Sequence, residues 1–253
     1  MIGDLSRLDG WVDELHWPRV KCPVCANGSV GFDKATHHLD QESEETVDLA
    51  HRNLGPPDEL SGTFEGTLKC DSKACGQVLS MAGDWQLVYD EGDISYNIFG
   101  EVFRVRYVNP PLKILHLPDK IPTKVKVAID SASEVLWLSP AAAANRLRQA
   151  VDELLTAKKV KRTTINTRRK RVDLNLHKRI VMYSNTNKEV GDALLAVKFI
   201  GNDGSHDSTL TVTDVLLGAE ILDVAITALY DKTAEALKAK VKAIIKKGGL
   251  PKK

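Results

Sequence analysis

The chain lacks what a membrane or secreted protein needs. None of its apolar runs approaches the roughly 18 residues of a membrane span. Its start, Met1-Ile2-Gly3-Asp4-Leu5, has no basic segment leading into an apolar stretch and does not resemble a secretory leader. These absences lead us to expect a cytoplasmic protein with no membrane partner. Internal repeats are missing too. Overall charge is nearly absent, +1 over 253 residues, yet the balance is uneven. Residues 1–100 hold 7 Lys/Arg against 18 Asp/Glu, and the remainder is correspondingly basic. Halves of opposite sign suggest two units with different electrostatic duties. The hydrophobic share of 43% and charged share of 27% are those of a globular protein.

Cysteine is scarce, and its placement is informative. All four cysteines fall in two close pairs, Cys22-Pro23-Val24-Cys25 and Cys70-Asp71-Ser72-Lys73-Ala74-Cys75. Disulfides rarely persist in the cytosol, so paired cysteines there point to a metal. Zinc takes four tetrahedral N or S ligands and suits thiolates. We therefore expect Cys22, Cys25, Cys70 and Cys75 to hold one structural Zn2+. Lys21 and Lys69 precede the first ligand of each pair and would offset the charge of four thiolates. A redox role for Cys-x-x-Cys would require a βαβ pattern, which the flanking sequence does not show. His37, His38 and His51 lie between the pairs, and four thiolates leave them no place in the shell. A closed shell has no open position for catalysis.

The periodicity changes along the chain. Residues 20–106 alternate with period 2, as in Gly76–Met81 and Val102–Tyr107, and are punctuated by Gly and Pro. The acidic stretch Asp40–Glu45 reads as a solvated loop. Pro110, Pro111, Pro118 and Pro122 mark residues 107–122 as a linker between a domain at 1–106 and one at 123–253. Beyond it the period becomes 3.6. Ser139-Pro140 is a helix start, with Ser as N-cap and Pro at the first helical position. A second helix is expected after Asp173, and a third from Lys188 until Gly201 weakens or breaks it. A last helix starts near Thr213-Asp214 and extends toward Lys247. Its Val215–Tyr230 part is apolar almost all round, which implies a core or a homodimer interface. The expected fold class is α+β: an N-terminal β-rich four-cysteine zinc ribbon followed by a C-terminal α-helical bundle.

Between Lys158 and Arg179 lie ten basic residues and one acid, Asp173. Arg162, Arg168, Arg169, Lys170 and Arg171 form a candidate footprint for the phosphates of RNA or DNA. The run has no aromatic residue, which argues against a platform that stacks single strands. The alternative is a surface that is simply solvated, or one that docks the acidic half or another protomer.

The order Tyr107-Val108-Asn109-Pro110-Pro111, Ala141–Leu155, Leu174–Ile180, Lys198–His206 and Thr213–Tyr230 resembles the family named domain of unknown function 4145, over residues 107–231. The resemblance implies a bacterial or phage setting and a role in defence. That family is similar to the HEPN group of helical bundles, many of them dimeric ribonucleases with an Arg four to six residues before a His. Here the positions 200–202 before His206 are Ile, Gly and Asn, and the nearest upstream cation is Lys198. A ribonuclease reading would make His206 the general base, with Asn202 orienting it and Lys198, Arg146 or Arg148 stabilising phosphorane charge. The structural alternative has Asn202 and His206 capping helices or bonded to Arg146 and Glu153. Three functions follow: a defence-associated nucleic-acid-binding module, a homodimeric metal-independent ribonuclease, or a non-catalytic assembly subunit.

Overall fold

The computed structural model describes residues 2–25, 27–51, 60–89, 99–203, 210–231 and 240–246. The period-2 half forms one antiparallel sheet and the period-3.6 half forms helices. A short helix α1 (Ile2–Ser6) and strands β1 (Val12–Asp13) and β2 (Val20–Lys21) come first. They lead into β3 (Ser29–Leu39), helix α2 (Gln41–His51), β4 (Ser61–Cys70), β5 (Val78–Tyr89) and β6 (Phe99–Asn109). The strand order is β1-β6-β5-β4-β3-β2, a meander of four long strands closed by two short edge strands.

Alternation puts Phe64, Leu68 and Cys70 of β4 on one buried face with Leu79, Met81 and Trp85 of β5 and Phe103 of β6. Trp17 lies against that face, its ring 5.2 Å from Phe32 and 6.4 Å from Phe103. The β5–β6 register shifts at Ala82/Gly83. A Cβ on Gly83 would collide with the Arg104 carbonyl oxygen, so only glycine fits where the strand bends.

The acidic stretch is helical rather than a loop. Asp40 accepts a hydrogen bond from the Ser43 backbone N–H at 2.9 Å and another from the Ser61 hydroxyl at 2.6 Å. Both capping of the first turn and attachment to β4 thus fall to one carboxylate, and Glu42 and Glu44 in that turn suit the helix dipole.

Strand β6 runs through Tyr107–Asn109, and α3 (Thr123–Val135) opens the helical half. The residues between them are packed: Leu112, Ile114, Leu115 and Ile121 are buried, and the Ile114 N–H donates to Ser133 Oγ on α3. Helix α4 (Pro140–Ala157) starts where Ser139-Pro140 placed it, with Ser139 Oγ accepting from the Ala142 N–H at 3.2 Å. A small hairpin follows, β7 (Thr163–Ile165) and β8 (Arg171–Asp173). Helix α5 (Leu176–Ser184) is capped by Asn175, not Asp173, because Asp173 pairs with Thr163 across the hairpin.

Helix α6 (Lys188–Asp203) starts as expected but continues through Gly201. The glycine is there for closeness: a Cβ would lie 2.9 Å from Arg148 Cβ and 3.0 Å from the Ala144 carbonyl oxygen of α4. Helix α7 (Val212–Tyr230) begins with a reciprocal capping box between Thr211 and Asp214. It ends at Tyr230, and residues 240–246 are helical in turn. Residue 9 reaches this helix: Asp9 Oδ2 accepts from the Thr213 N–H at 2.9 Å and from its hydroxyl at 2.7 Å. Among the described residues no helix is long and apolar enough to cross a membrane.

Ser139 is the sole side-chain cap on the central helix of the bundle. Ser139→Ala should lower stability by about 1 kcal/mol in denaturant titrations, with helical content unchanged by circular dichroism.

Candidate metal centre and basic hairpin

Each cysteine pair sits at a turn that the sheet holds in place. The Cys22 N–H donates to the Gly28 carbonyl and the Cys70 N–H to the Gln77 carbonyl, each at 2.9 Å. Gly76 takes a φ of 58°, which a side chain would resist, as the second turn returns to β5. Pairing of Val30 with Cys70 across β3 and β4 brings the turns together.

The four thiols converge. Their Sγ atoms all lie within 4.8 Å of one another, with Cys22–Cys75 at 3.9 Å and Cys25–Cys70 at 3.7 Å. These separations exclude disulfides, whose sulfurs lie about 2.05 Å apart. The Cys25 N–H points at Cys22 Sγ at 3.5 Å, an amide directed at a ligand sulfur. The cluster is compatible with a metal site, and no histidine belongs to it among the described residues. His37 instead stacks on Trp85 at 4.0 Å.

Desolvation pushes the Cys70 thiol up to about 12, with the Cys25, Cys22 and Cys75 sulfurs acting in the same direction. Cys25 is lowered to about 7; desolvation opposes that shift, and hydrogen bonds from Cys75 and the Asn27 backbone carry it. Crowded thiols of this kind ionise together only when a cation offsets their charge.

Two features besides the ligands support the cluster. Asp71, next to Cys70, accepts from the Ser29 N–H at 2.8 Å and the Ser29 hydroxyl at 2.7 Å, and pairs with Arg19 at 3.2 Å. The Ser29 bonds hold its carboxyl below the usual range, with Arg19 adding to them. The brace therefore contributes above the unfolded carboxylate pKa and is lost as pH falls through the lower folded value. Gly28 is the second feature: a Cβ there would collide with Cys70 Sγ.

The basic segment is not a simple loop. Asn166 closes the β7–β8 turn, its Oδ1 accepting from the N–H groups of Arg168 and Lys170 at 3.0 and 2.9 Å. Arg169 takes a φ of 56° at the tip. Arg168, Arg169 and Lys170 are exposed, and no acidic partner meets them among the described residues. Arg171 bonds the Thr163 hydroxyl at 2.9 Å. Arg162 is committed inward, to Asp152 at 3.2 Å and Glu153 at 3.4 Å.

The root of this hairpin is fastened by Arg179, only 1% exposed. Its guanidinium donates to the carbonyls of Asp152, Val160 and Lys161, to Thr156 Oγ1 and to the Asp152 carboxylate. A buried guanidinium is tolerable only when its donors are used and a counter-charge is present. Both conditions hold, and the residues they hold lead into β7.

The trio considered for catalysis is partly placed. Asn202 Oδ1 accepts from Arg148 Nη1 at 3.3 Å where α4 and α6 cross. Lys198 Nζ sits 4.3 Å over the Phe199 ring. His206 lies outside the described residues. Arg146 bonds Gln149 and Glu153 bonds Arg162, so neither meets Asn202 through a hydrogen bond described here.

Residues 130–247 match the family described as Domain of unknown function (DUF4145), which supports the resemblance read in this half. Residues 12–108 match a second family, described as Domain of unknown function (DUF8608), which the sequence reading did not anticipate. The chain is similar to one over its helices and to the other over its sheet. No curated protein and no solved structure gives a match.

The cluster should carry one metal ion per chain, measured by elemental analysis of purified protein. Cys25→Ser should lose it, and Gly28→Ala should weaken its retention against a chelator about tenfold or more, as disturbance of a supporting shell does. Separately, Arg179→Ala should cost about 3 kcal/mol, the scale of breaking a buried pair, read in chemical denaturation.

Proposed function

We propose that this protein binds nucleic acid through the β7–β8 hairpin and is stapled by a structural zinc ion in its sheet. The observation that carries the reading is the hairpin: three adjacent exposed cations at its tip, with no acidic partner among the described residues, above a root fixed by a buried arginine. Cations meant only to be solvated need no such mounting, whereas a phosphate-contacting element gains from being held in place. Lys161 and Lys178 flank the root and extend the positive surface.

Zinc is the proposed metal on the chemistry of the donors. Thiolates about 2.3 Å from a tetrahedral ion lie about 3.8 Å apart, and the shorter Sγ separations, 3.7 and 3.9 Å, agree with that edge. Four sulfurs close the shell, so the ion's role is to hold the two turns and not to activate water. In this reading the N-terminal half is a zinc-ribbon-like module and the C-terminal half an HEPN-like bundle. The family resemblance supports a defence setting in a bacterium or phage. The exposed Leu217 and Val224 on α7 support a homodimer.

A second reading, ribonuclease activity, is favoured by one observation. Arg148 donates to Asn202, four positions before His206 in the sequence, which supplies a cation the linear motif lacks. Chemistry there would use His206 as base and Arg148 toward phosphate.

With Arg168, Arg169 and Lys170 changed to Gln, affinity for nucleic acid should fall uniformly across sequences. The slope of log K against log salt should flatten by about 3, one unit per lost phosphate contact, as measured by fluorescence anisotropy from 50 to 200 mM salt. Unchanged affinity and slope would remove the hairpin from the binding surface.

A further inference from the structure

The hairpin also selects among nucleic acids, and this step rests on the reading above. It is a bare two-stranded ribbon: Thr164, Ile165, Arg171, Val172 and Asp173 are exposed, and Ile165 is 72% exposed. An isolated two-stranded ribbon is only marginally stable in water. This one is locked at both ends. Asn166 ties the tip, and at the root the Leu174 N–H donates to the Arg162 carbonyl at 2.8 Å while Arg179 grips the Val160 and Lys161 carbonyls. The lock holds in place a narrow cationic hairpin whose strand residues are largely exposed.

Shape then limits what the hairpin can enter. Two paired strands lie about 4.8 Å apart before side chains are added. The major groove of B-form DNA, about 12 Å wide and 8.5 Å deep, admits a two-stranded ribbon as it stands, whereas the minor groove, about 6 Å wide, takes one only when the duplex is deformed. The major groove of an A-form RNA duplex is too deep and narrow for side chains to read. Single strands are best held by aromatic stacking, and residues 162–174 hold no aromatic side chain.

The chemistry along the ribbon agrees with the shape. Arg168, Arg169 and Lys170 stand at the tip, where each can meet a phosphate bordering the groove. Ile165 offers an apolar surface of the kind that meets a thymine methyl group. Lys161 and Lys178 stand at the root, placed for phosphates on the groove walls. We propose that residues 162–174 enter the major groove of duplex DNA, tip first, and that duplex DNA is the preferred ligand of this protein.

The test uses the full-length, metal-loaded chain. Binding is measured by anisotropy with a labelled 24-base-pair DNA duplex, the RNA duplex of the same sequence, and each single strand. The DNA duplex should bind at least about tenfold tighter than the others, a margin of about 1.4 kcal/mol. Methyl green, which occupies the major groove, should displace the protein, and netropsin, which occupies the minor groove, should not. Arg168→Gln should lower DNA affinity while the protein keeps its circular dichroism spectrum and metal content. Equal or tighter binding of RNA duplex or single strands, or displacement by netropsin alone, would overturn the groove assignment and leave nucleic-acid binding standing. No binding to any of the four probes at low salt would overturn both.

Discussion

The ion pair between Arg179 and Asp152 is the contact on which the hairpin and the helices around it depend. Removing a guanidinium from water is costly, and the structure offsets that cost with carbonyls from three residues and a carboxylate. Two of those carbonyls, of Val160 and Lys161, belong to the chain leaving α4, so the arginine fixes the direction in which that chain emerges. Arg162 reinforces the joint by reaching back to Asp152 and Glu153. Two positive residues thus hold a positive hairpin in place, and the acids that neutralise them are withheld from its tip.

The sheet half follows a different plan. Its long strands bury one face and present a polar face, and an acidic helix lies beside β3 and β4. The cysteine-bearing turns lie at one end of this sheet, where β3 and β4 pair at Val30 and Cys70. The ion would act as a cross-link between turns, with Asp71 and Arg19 as a second, charge-based tie. Sign separates the two halves: residues 1–100 carry an excess of acids and the remainder an excess of cations.

What could be read from sequence was what local chemistry dictates. Cys pairs, the Ser139-Pro140 cap and the stripe from Lys188 each follow from a few adjacent residues, and each was found. The hairpin was missed because its strands are three residues long and its charges mask them. The Thr163-Thr164-Ile165 run was the available β signal. Helix α2 was read as a loop because it has almost no apolar stripe, and only Asp40 followed by acids marked a helix start. Gly201 was read as a breaker because the close approach of α4 is a tertiary fact. Arg179 was counted as one more surface cation, since bonds to backbone carbonyls leave no pattern in side-chain order. Asp71 was passed over for the same reason: its partner, Ser29, is 42 residues away.

The Asp9–Thr213 clasp has a consequence for how the chain is made. Its two residues are 204 apart. Leu5 and Leu8 are synthesised long before the helix that Asp9 bonds to. Contacts that close so long a loop form late, after the local hairpins and helices have settled. The segment around Leu5 and Leu8 therefore waits without its partner until α7 follows, and its docking there is a late step of folding. A product cut short before α7 would leave those two leucines without that cover.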